Sequence, residues 1–540
     1  MLDLNADWPT HAEYEYSAKY DSRAEVVAFD AFRADAALFD HVVIGAGPIG
    51  AALAYRLARD RPEGRVLVVE KSWAEPDRIV GELMQPAGCQ ALERLGLGRV
   101  FSGIGAVPVH GYHISYRGRH LWAPYPARPG GGRFRGNSFH HGRLVMNLRA
   151  ACKAQRNLVC LEAAATALLG DAAADGRMAA VHGVRIGPPR SDGGAGEAGG
   201  AGGEIEVRPR GLTFVCDGIT SQFRRQLSPE PVDVVSHFCG FVLEHEPVAA
   251  ADHFTGPAGA TTHLAQPAGP RANPLPMPHN GNVLLGGAGP LLVYQVSERE
   301  TRVLADLPGA RLPSEAGGHL RAALRDSLAR AAPKDQYPVL HAALMAALDS
   351  PRRIRCIASK YIPATAQSAD GALWIGDALN VRHPLTGGGM TVGLWDVVHV
   401  TDLLRARPRL PLRPRDTRRL KAEWHWRRRP RALTVNVLSI ALYSLLAAET
   451  PALDLLREAC FVYVSRGGLC TMHPAALLSG MLPSPLLLVF HFFAVALLAV
   501  YLRIADRSAG PLPRRVCSAL HALYVAAAVI LPPAWRELRP

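Results

Sequence analysis

Three groups of glycines, with acidic residues set at intervals from them, carry the first chemical signal in this chain. Gly45-Ala46-Gly47-Pro48-Ile49-Gly50 follows the apolar stretch HVVI and opens the helix-like text PIGAALAYRLARD. Gly45 permits a tight turn, Gly47 lets backbone approach a pyrophosphate, and Gly50 allows a helix to pack close to a strand. The helix start adds free N–H groups and a positive dipole end for phosphates. Glu70 closes the next apolar stretch, VLVVE, twenty residues past Gly50, where a carboxylate can bind ribose hydroxyls. The pattern predicts strand, glycine turn, helix and second strand, a dinucleotide-binding unit. Alone it does not separate NAD from FAD.

Two later motifs narrow the choice. Gly376-Asp377 follows an apolar strand at 372–375, and Cys216-Asp217-Gly218 follows LTFV. Asp-Gly is also a common turn. In this order, however, the three motifs are similar to those of flavoprotein hydroxylases, where a late Gly-Asp holds the ribityl chain of FAD. Gly387-Gly388-Gly389, at a helix start, can bring backbone N–H groups against a flavin ring. His140 and His141 read as structural hydrogen-bonding residues. No matching ligand cluster suggests a metal.

The elements that position these residues belong to a chain of 540 residues with 49% hydrophobic and 20% charged content, ample for more than one folded domain. Nine cysteines lie scattered without a C-x-x-C pair, against a zinc module or disulfide framework and in keeping with a reducing, cytosol-facing compartment. Residues 1–39 read as a polar extension without a cleavable signal peptide. Residues 40–410 read as the dinucleotide-binding domain with an interleaved substrate domain at about 105–150 and 230–360. Within it, 187–203 and 255–282 are Gly-rich and Pro-rich flexible insertions. Residues 411–540 read as a helical, membrane-associated region. There 486–502 and 516–531 are apolar runs, each slightly short of the roughly 20 residues that span a bilayer comfortably. Membrane contact is favoured over a buried hairpin because Arg503, Arg507, Arg514 and Arg515 stand between the runs, placed for anionic head groups. The net charge of +13 asks for an acidic partner surface. The basic run 415–431, with eight Lys or Arg and two tryptophans, fits a solvated or lipid-facing helix better than a nucleic-acid patch.

EPDRIVGELMQPAG (75–88), HGY (110–112), FHHGR (139–143), GDALNVRHPLTGGGMTVG (376–393) and VNVLSIALY (435–443) resemble squalene epoxidase, in that family's order and with similar spacing. The likeness runs from about Asp40 to the C-terminal hairpin. It implies an α/β fold, with a Rossmann-type FAD-binding domain of the flavoprotein hydroxylase kind, a β-sheet substrate domain and C-terminal membrane-associated helices. It implies conversion of squalene and dioxygen to 2,3-oxidosqualene in sterol biosynthesis, at the cytosolic face of the endoplasmic reticulum membrane. Electrons would come from NADPH through a separate membrane-bound flavoprotein reductase, since no second glycine fingerprint suggests a nicotinamide domain. Carried over by position, FAD would touch Gly45, Gly47, Pro48, Ile49, Gly50, Glu70, Lys71, Arg78, Leu83, Arg143, Val159, Asp377 and Met390. Tyr112 and Gln85 would form the catalytic pair, with Tyr112 held by Gln85. Tyr112, Tyr294, Pro384 and Leu385 would line the substrate cavity. The long N-terminal membrane segment of the animal enzymes has no counterpart here, so anchoring would fall on the C-terminal helices.

An aromatic hydroxylase or prenyl-chain reductase would share the flavin motifs but not RHPLTGGGMT or the apolar tail. An idle FAD-binding membrane scaffold would share everything except turnover.

Overall fold

The computed structural model describes residues 26–32, 38–189, 203–228, 232–247, 273–407 and 410–538. A six-stranded parallel sheet is ordered Val27–Ala28, Leu158–Glu162, Val66–Glu70, His41–Ile44, Thr213–Val215 and Ala372–Trp374. Its strands read as unbroken apolar runs because a parallel sheet is covered on both faces. His41–Ile44 and Thr213–Val215 are buried along their whole length. The helix Pro48–Asp60 packs on the sheet and against the helices His141–Lys153 and Gly389–Arg405.

A second sheet of seven strands runs Arg355–Tyr361, Asp233–Glu244, Glu300–Pro308, Leu291–Ser297, Gly281–Leu285, Gly111–Tyr116 and Arg119–Pro124. All its pairings are antiparallel except that of Gly281–Leu285 with Gly111–Tyr116. One face of this sheet is closed by the helices His319–Ala331 and Pro338–Asp349. Toward the C-terminal helices, Phe238, Tyr294 and Leu304 join Tyr443, Phe461 and Ala496 in one apolar cluster.

The C-terminal helices are Pro414–Ala447, Pro451–Ser465, Leu469–Leu478, Pro485–Ala505 and Leu512–Leu538. Thr450 and Ser484 start two of them, each accepting a hydrogen bond from a first-turn amide, with proline as the first helical residue. Three are long and apolar enough to cross a membrane: Pro414–Ala447, Pro485–Ala505 and Leu512–Leu538. The last two leave Phe490, Leu497, Tyr501, Leu520, Tyr524 and Trp535 exposed.

Four sequence expectations change. The 1–39 extension is not wholly peripheral, because Val27–Ala28 adds an edge strand and Phe29, Phe32 and Phe39 are buried; residues 1–25 and 33–37 lie outside the described residues. The helix His141–Lys153 covers the parallel sheet and does not belong with the substrate sheet, since its Leu144, Leu148 and Cys152 enter the core of that layer. Of the two insertions, 190–202 and 255–272 lie outside the described residues. Residues 273–282, expected as flexible insertion, bury Asn273, Leu275, Met277, Asn280 and Asn282 and run into a strand of the second sheet. The basic run forms the start of Pro414–Ala447 but is no uniformly solvated face. Its Lys421, Trp424 and Arg428 are buried, Arg428 against Asp396 at 2.9 Å, while Trp426 is exposed.

Candidate functional site

The glycine turn joins His41–Ile44 to Pro48–Asp60, and each glycine meets a different physical demand. Gly45 has φ +98°, and a side chain there would strike the Cys216 carbonyl. A side chain on Gly50 would strike the Gly45 carbonyl. Around Gly47 no atom stands within 4 Å of where a Cβ would be, so its surface is open. The Glu70 carboxylate accepts from the Ala46 amide at 2.7 Å and lies 3.7 Å from the Arg149 guanidinium. Arg149 is buried and also donates to the Ala46 and Ala74 carbonyls. Sequence reasoning missed it, although it follows FHHGR on the same helix.

The other flavin motifs converge on this turn. Gly393 packs so tightly on Ile49 that a side chain there would strike it, Gly376 (φ +68°) sits close against the same residue, and Gly45 adjoins Cys216 and Asp217. Val159 pairs with Leu67 on the neighbouring strand, and Lys71 is exposed just beyond Glu70. Asp377 is half-buried. Burial pushes its carboxyl upward, while Arg382, Arg224 and Arg78 oppose the shift. Arg224 donates to the Asp377 carbonyl at 2.6 Å. Arg382, another residue missed, donates to the Gly389 carbonyl at 3.1 Å and to Asn380, bracing the triple-glycine segment from behind. Asn380 is held in turn by Asn436, which also donates to Glu537 at the far end of the last helix. Arg143 is half-buried and donates to the Ile104 carbonyl at 3.4 Å; the Met390 side chain lies against Gly81.

Two cavities share Glu82. The larger, about 310 Å³, is polar and lined by Arg78, Glu75, His140, His141 and Arg302. A buried ion pair forms its inner wall, Arg302 donating to both Glu82 oxygens at 2.6 and 2.9 Å. Burial pulls His141 down to about 4, and His140 pairs with Glu300 at 2.8 Å. Among the described residues no group of three or more His, Cys, Asp or Glu could hold a metal ion. The smaller cavity, about 60 Å³, is lined by Leu83, Gln85, Tyr112, Tyr294, Pro384 and Leu385, with Gly387 at its edge. All the residues expected around the substrate therefore meet in one place.

Their pairing differs from expectation. The Gln85 oxygen accepts from Tyr125 at 2.8 Å, and its amide donates to the Thr386 carbonyl at 2.8 Å. Tyr112 meets Tyr125 edge-on, with ring centroids 5.5 Å apart, and its buried hydroxyl completes no hydrogen bond. Tyr125 makes the direct hydrogen bond to Gln85, and the Tyr112 hydroxyl lies beside both Tyr125 and Gln85. The reason is hairpin register: Tyr112 stands opposite Ala123, which places Tyr125 diagonally beside it. The turn at Arg117-Gly118, where both residues have positive φ, is the sequence signal from which that register could have been read. Burial pushes the hydroxyls of Tyr112, Tyr125 and Tyr294 upward, so all three stay protonated.

The residues present fit FAD. Gly47 offers open backbone for a pyrophosphate, and Glu70 and Asp377 stand at the two ends of the motif chain. Asp217 Oδ1, Thr386 Oγ1 and the Tyr112 hydroxyl are buried polar atoms without a protein partner.

The fold is shared with solved flavin enzymes. p-Nitrophenol 4-monooxygenase from Pseudomonas putida superposes with a TM-score of 0.56 at 16% identity, covering 82% of this chain and 97% of that one. A Klebsiella pneumoniae protein solved with FAD and uric acid gives 0.54 at 15% identity, covering 83% and 98%. In sequence, the squalene epoxidase of Candida albicans is 36% identical over 93% of this chain and 99% of its own length. Mouse squalene monooxygenase is 34% identical over 92% of this chain and 78% of its own length. The squalene epoxidase family model matches residues 210–255 and 270–517. The chain belongs to the squalene epoxidase family.

Proposed function

We propose that the chain is an FAD-dependent squalene epoxidase, adding one oxygen atom of dioxygen to the terminal double bond of squalene. The observation that carries this reading is the small cavity, which gathers Tyr112, Tyr294, Pro384 and Leu385 beside the triple-glycine segment. Bound FAD would supply the dioxygen activation that no side chain offers. Gly47, Glu70 and Asp377 would hold the cofactor, with Leu83, Met390, Arg78, Arg143, Val159 and Lys71 as its further contacts. Gln85, locked between Tyr125 and Thr386, keeps the cavity floor rigid. Leu83, Leu292, Leu304 and Leu385 exclude water from the reacting alkene. No acid or base need touch an alkene, which agrees with tyrosines held neutral.

A thirty-carbon substrate exceeds about 60 Å³, so it must extend into the apolar cluster between the sheet and the C-terminal helices. Those helices would dip into one leaflet of the endoplasmic reticulum membrane, and electrons would arrive from NADPH through a separate membrane flavoprotein reductase. Incubating the flavin-loaded protein with squalene, such a reductase, NADPH and oxygen should give 2,3-oxidosqualene. Flavin-loaded, reducible protein that yields no epoxide would overturn the assignment.

A further inference from the structure

Behind the cavity wall, three buried polar side chains from three separate elements form one relay. Ser236 and Asp306 are diagonal neighbours on adjacent antiparallel strands, since Ser236 stands opposite Pro308 and Phe238 opposite Asp306. His383 directly precedes the short Pro384–Thr386 turn and is only 2% exposed, its ring stacked on Tyr443 at 4.1 Å. Ser236 Oγ lies 2.5 Å from Asp306 Oδ1 and 3.0 Å from His383 Nε2. The Leu385 amide lies 3.3 Å from His383 Nδ1.

These contacts permit one arrangement of protons. A backbone N–H can only donate, so His383 Nδ1 must present its lone pair to Leu385. Burial pulls His383 down to about 3, so the ring is neutral and its single proton sits on Nε2. That proton is donated to Ser236 Oγ, and the serine's own proton then goes to Asp306 Oδ1. The chain of donors runs from the cavity wall to Asp306 without a reversal. In the other tautomer, Nδ1–H would face the Leu385 N–H, and a buried amide would lose its acceptor.

We propose that Asp306 and Ser236 are positioning residues for the reaction: they fix the His383 tautomer that caps Leu385, and so set the Pro384–Thr386 wall of the substrate cavity. Neither lines the cavity; both act through His383. The same turn gives Pro384 and Leu385 to the cavity and the Thr386 carbonyl to Gln85, so its position reaches both the substrate wall and the locked glutamine. The inference rests on that cavity being the squalene site.

Asp306→Ala should raise the squalene KM about five- to tenfold, the effect of losing one buried hydrogen bond, and divert electrons to hydrogen peroxide. Flavin content per chain should stay unchanged. Asp306→Asn, which keeps an acceptor oxygen, should restore the KM. His383→Asn gives the test of mechanism, because its Oδ1 accepts from the Leu385 amide whatever Asp306 does. In that background Asp306→Ala should have no further effect. An equal effect in both backgrounds, or loss of flavin with unaltered KM, would mean a merely structural acid and overturns the proposal. If Asp306→Ala does not fold, Ser236→Ala breaks the same relay with one hydroxyl removed and carries the same expectations. Squalene affinity of the reductase-free protein, read by tryptophan fluorescence quenching, gives the comparison without turnover. Wild-type protein that binds no squalene overturns the proposed function and this inference with it. Wild-type binding with unaltered variants overturns the relay alone.

Discussion

The glycine turn and the substrate cavity are built on different principles. At the turn the requirements are steric: Gly50 answers a close approach to Gly45 within six residues of chain, Gly45 answers one to the Cys216 carbonyl, and Gly47 leaves open space. At the cavity the walls come from Leu83, Tyr112, Tyr294 and Leu385, four segments drawn from two different sheets and a turn. Their contacts depend on strand register and on supports farther back, including Asn380, Asn436 and Glu537. The turn therefore tolerates no side chain at Gly45 or Gly50, whereas the cavity tolerates small local change and depends on the remote supports.

The harshest test of that contrast removes a support. A chain ending at Ser484 lacks Glu537, which accepts from Asn436 at 2.8 Å and from Tyr361 at 3.1 Å. It should leave the membrane fraction more easily, but with most of its flavin lost, because the late flavin segment loses its backing. Flavin absorbance per chain after gentle extraction decides. Full flavin retention would show the last two helices to be a detachable anchor.

Next come the glycines. Gly50→Ala places a methyl into the Gly45 carbonyl and should destabilise the domain by about 3 kcal/mol or more, with no flavin bound. Gly47→Ala meets no protein atom, so the fold should melt as wild type does while flavin binds more weakly. Thermal melts of the two apoproteins beside flavin titrations separate these outcomes. Equal flavin affinity in Gly47→Ala would show that no phosphate approaches that backbone.

Legibility in the sequence followed the same division. The parallel sheet, the turn and the membrane-type helices could be read because apolar periodicity and glycine sterics act over a few residues. The gathering of Tyr112, Tyr294, Pro384 and Leu385 came from family likeness, not from spacing. Tyr125, Arg149, Arg302 and Arg382 stayed hidden because a partner's identity depends on register and on segments far apart in the chain. Residues 273–282 were misread since Pro, Gly and Asn signal a loop but not whether that loop is buried; Asn282 satisfies backbone at Met277, Asn280 and Val293.

The tyrosine pair sharpens the comparison inside the cavity. Tyr125→Phe leaves the Gln85 oxygen buried without a donor and should cost about 1–3 kcal/mol of stability. Tyr112→Phe removes a hydroxyl that already lacks a partner, so melting should be unchanged or slightly improved. Epoxide formed per bound flavin should nonetheless fall in Tyr112→Phe, because Tyr112 lines the cavity beside Gln85. Full activity in Tyr112→Phe would reduce Tyr112 to a packing residue, and destabilisation there would restore it as the partner of Gln85.

The smallest effect concerns the acid at the base of the relay. Burial pushes Asp306 from 3.8 up to about 7, only partly offset by Ser236 and Tyr443. His383, which also faces it, is neutral and supplies no compensating charge. Between these two values the folded chain binds the proton and the unfolded chain has released it. Stability from this group is therefore greatest at low pH and declines as pH rises toward about 7, the reverse of a salt-bridged aspartate. Asp306→Asn cannot ionise and lacks this slope. Between pH 6 and pH 8 the variant should gain about 1 kcal/mol on the wild type, since most of the loss lies below pH 6. Paired denaturant titrations at the two pH values measure the difference, and all other titrating groups cancel between the chains. A constant offset would mean that Asp306 keeps an ordinary carboxylate pKa in the fold, with its charge stabilised by Ser236 and Tyr443 against burial.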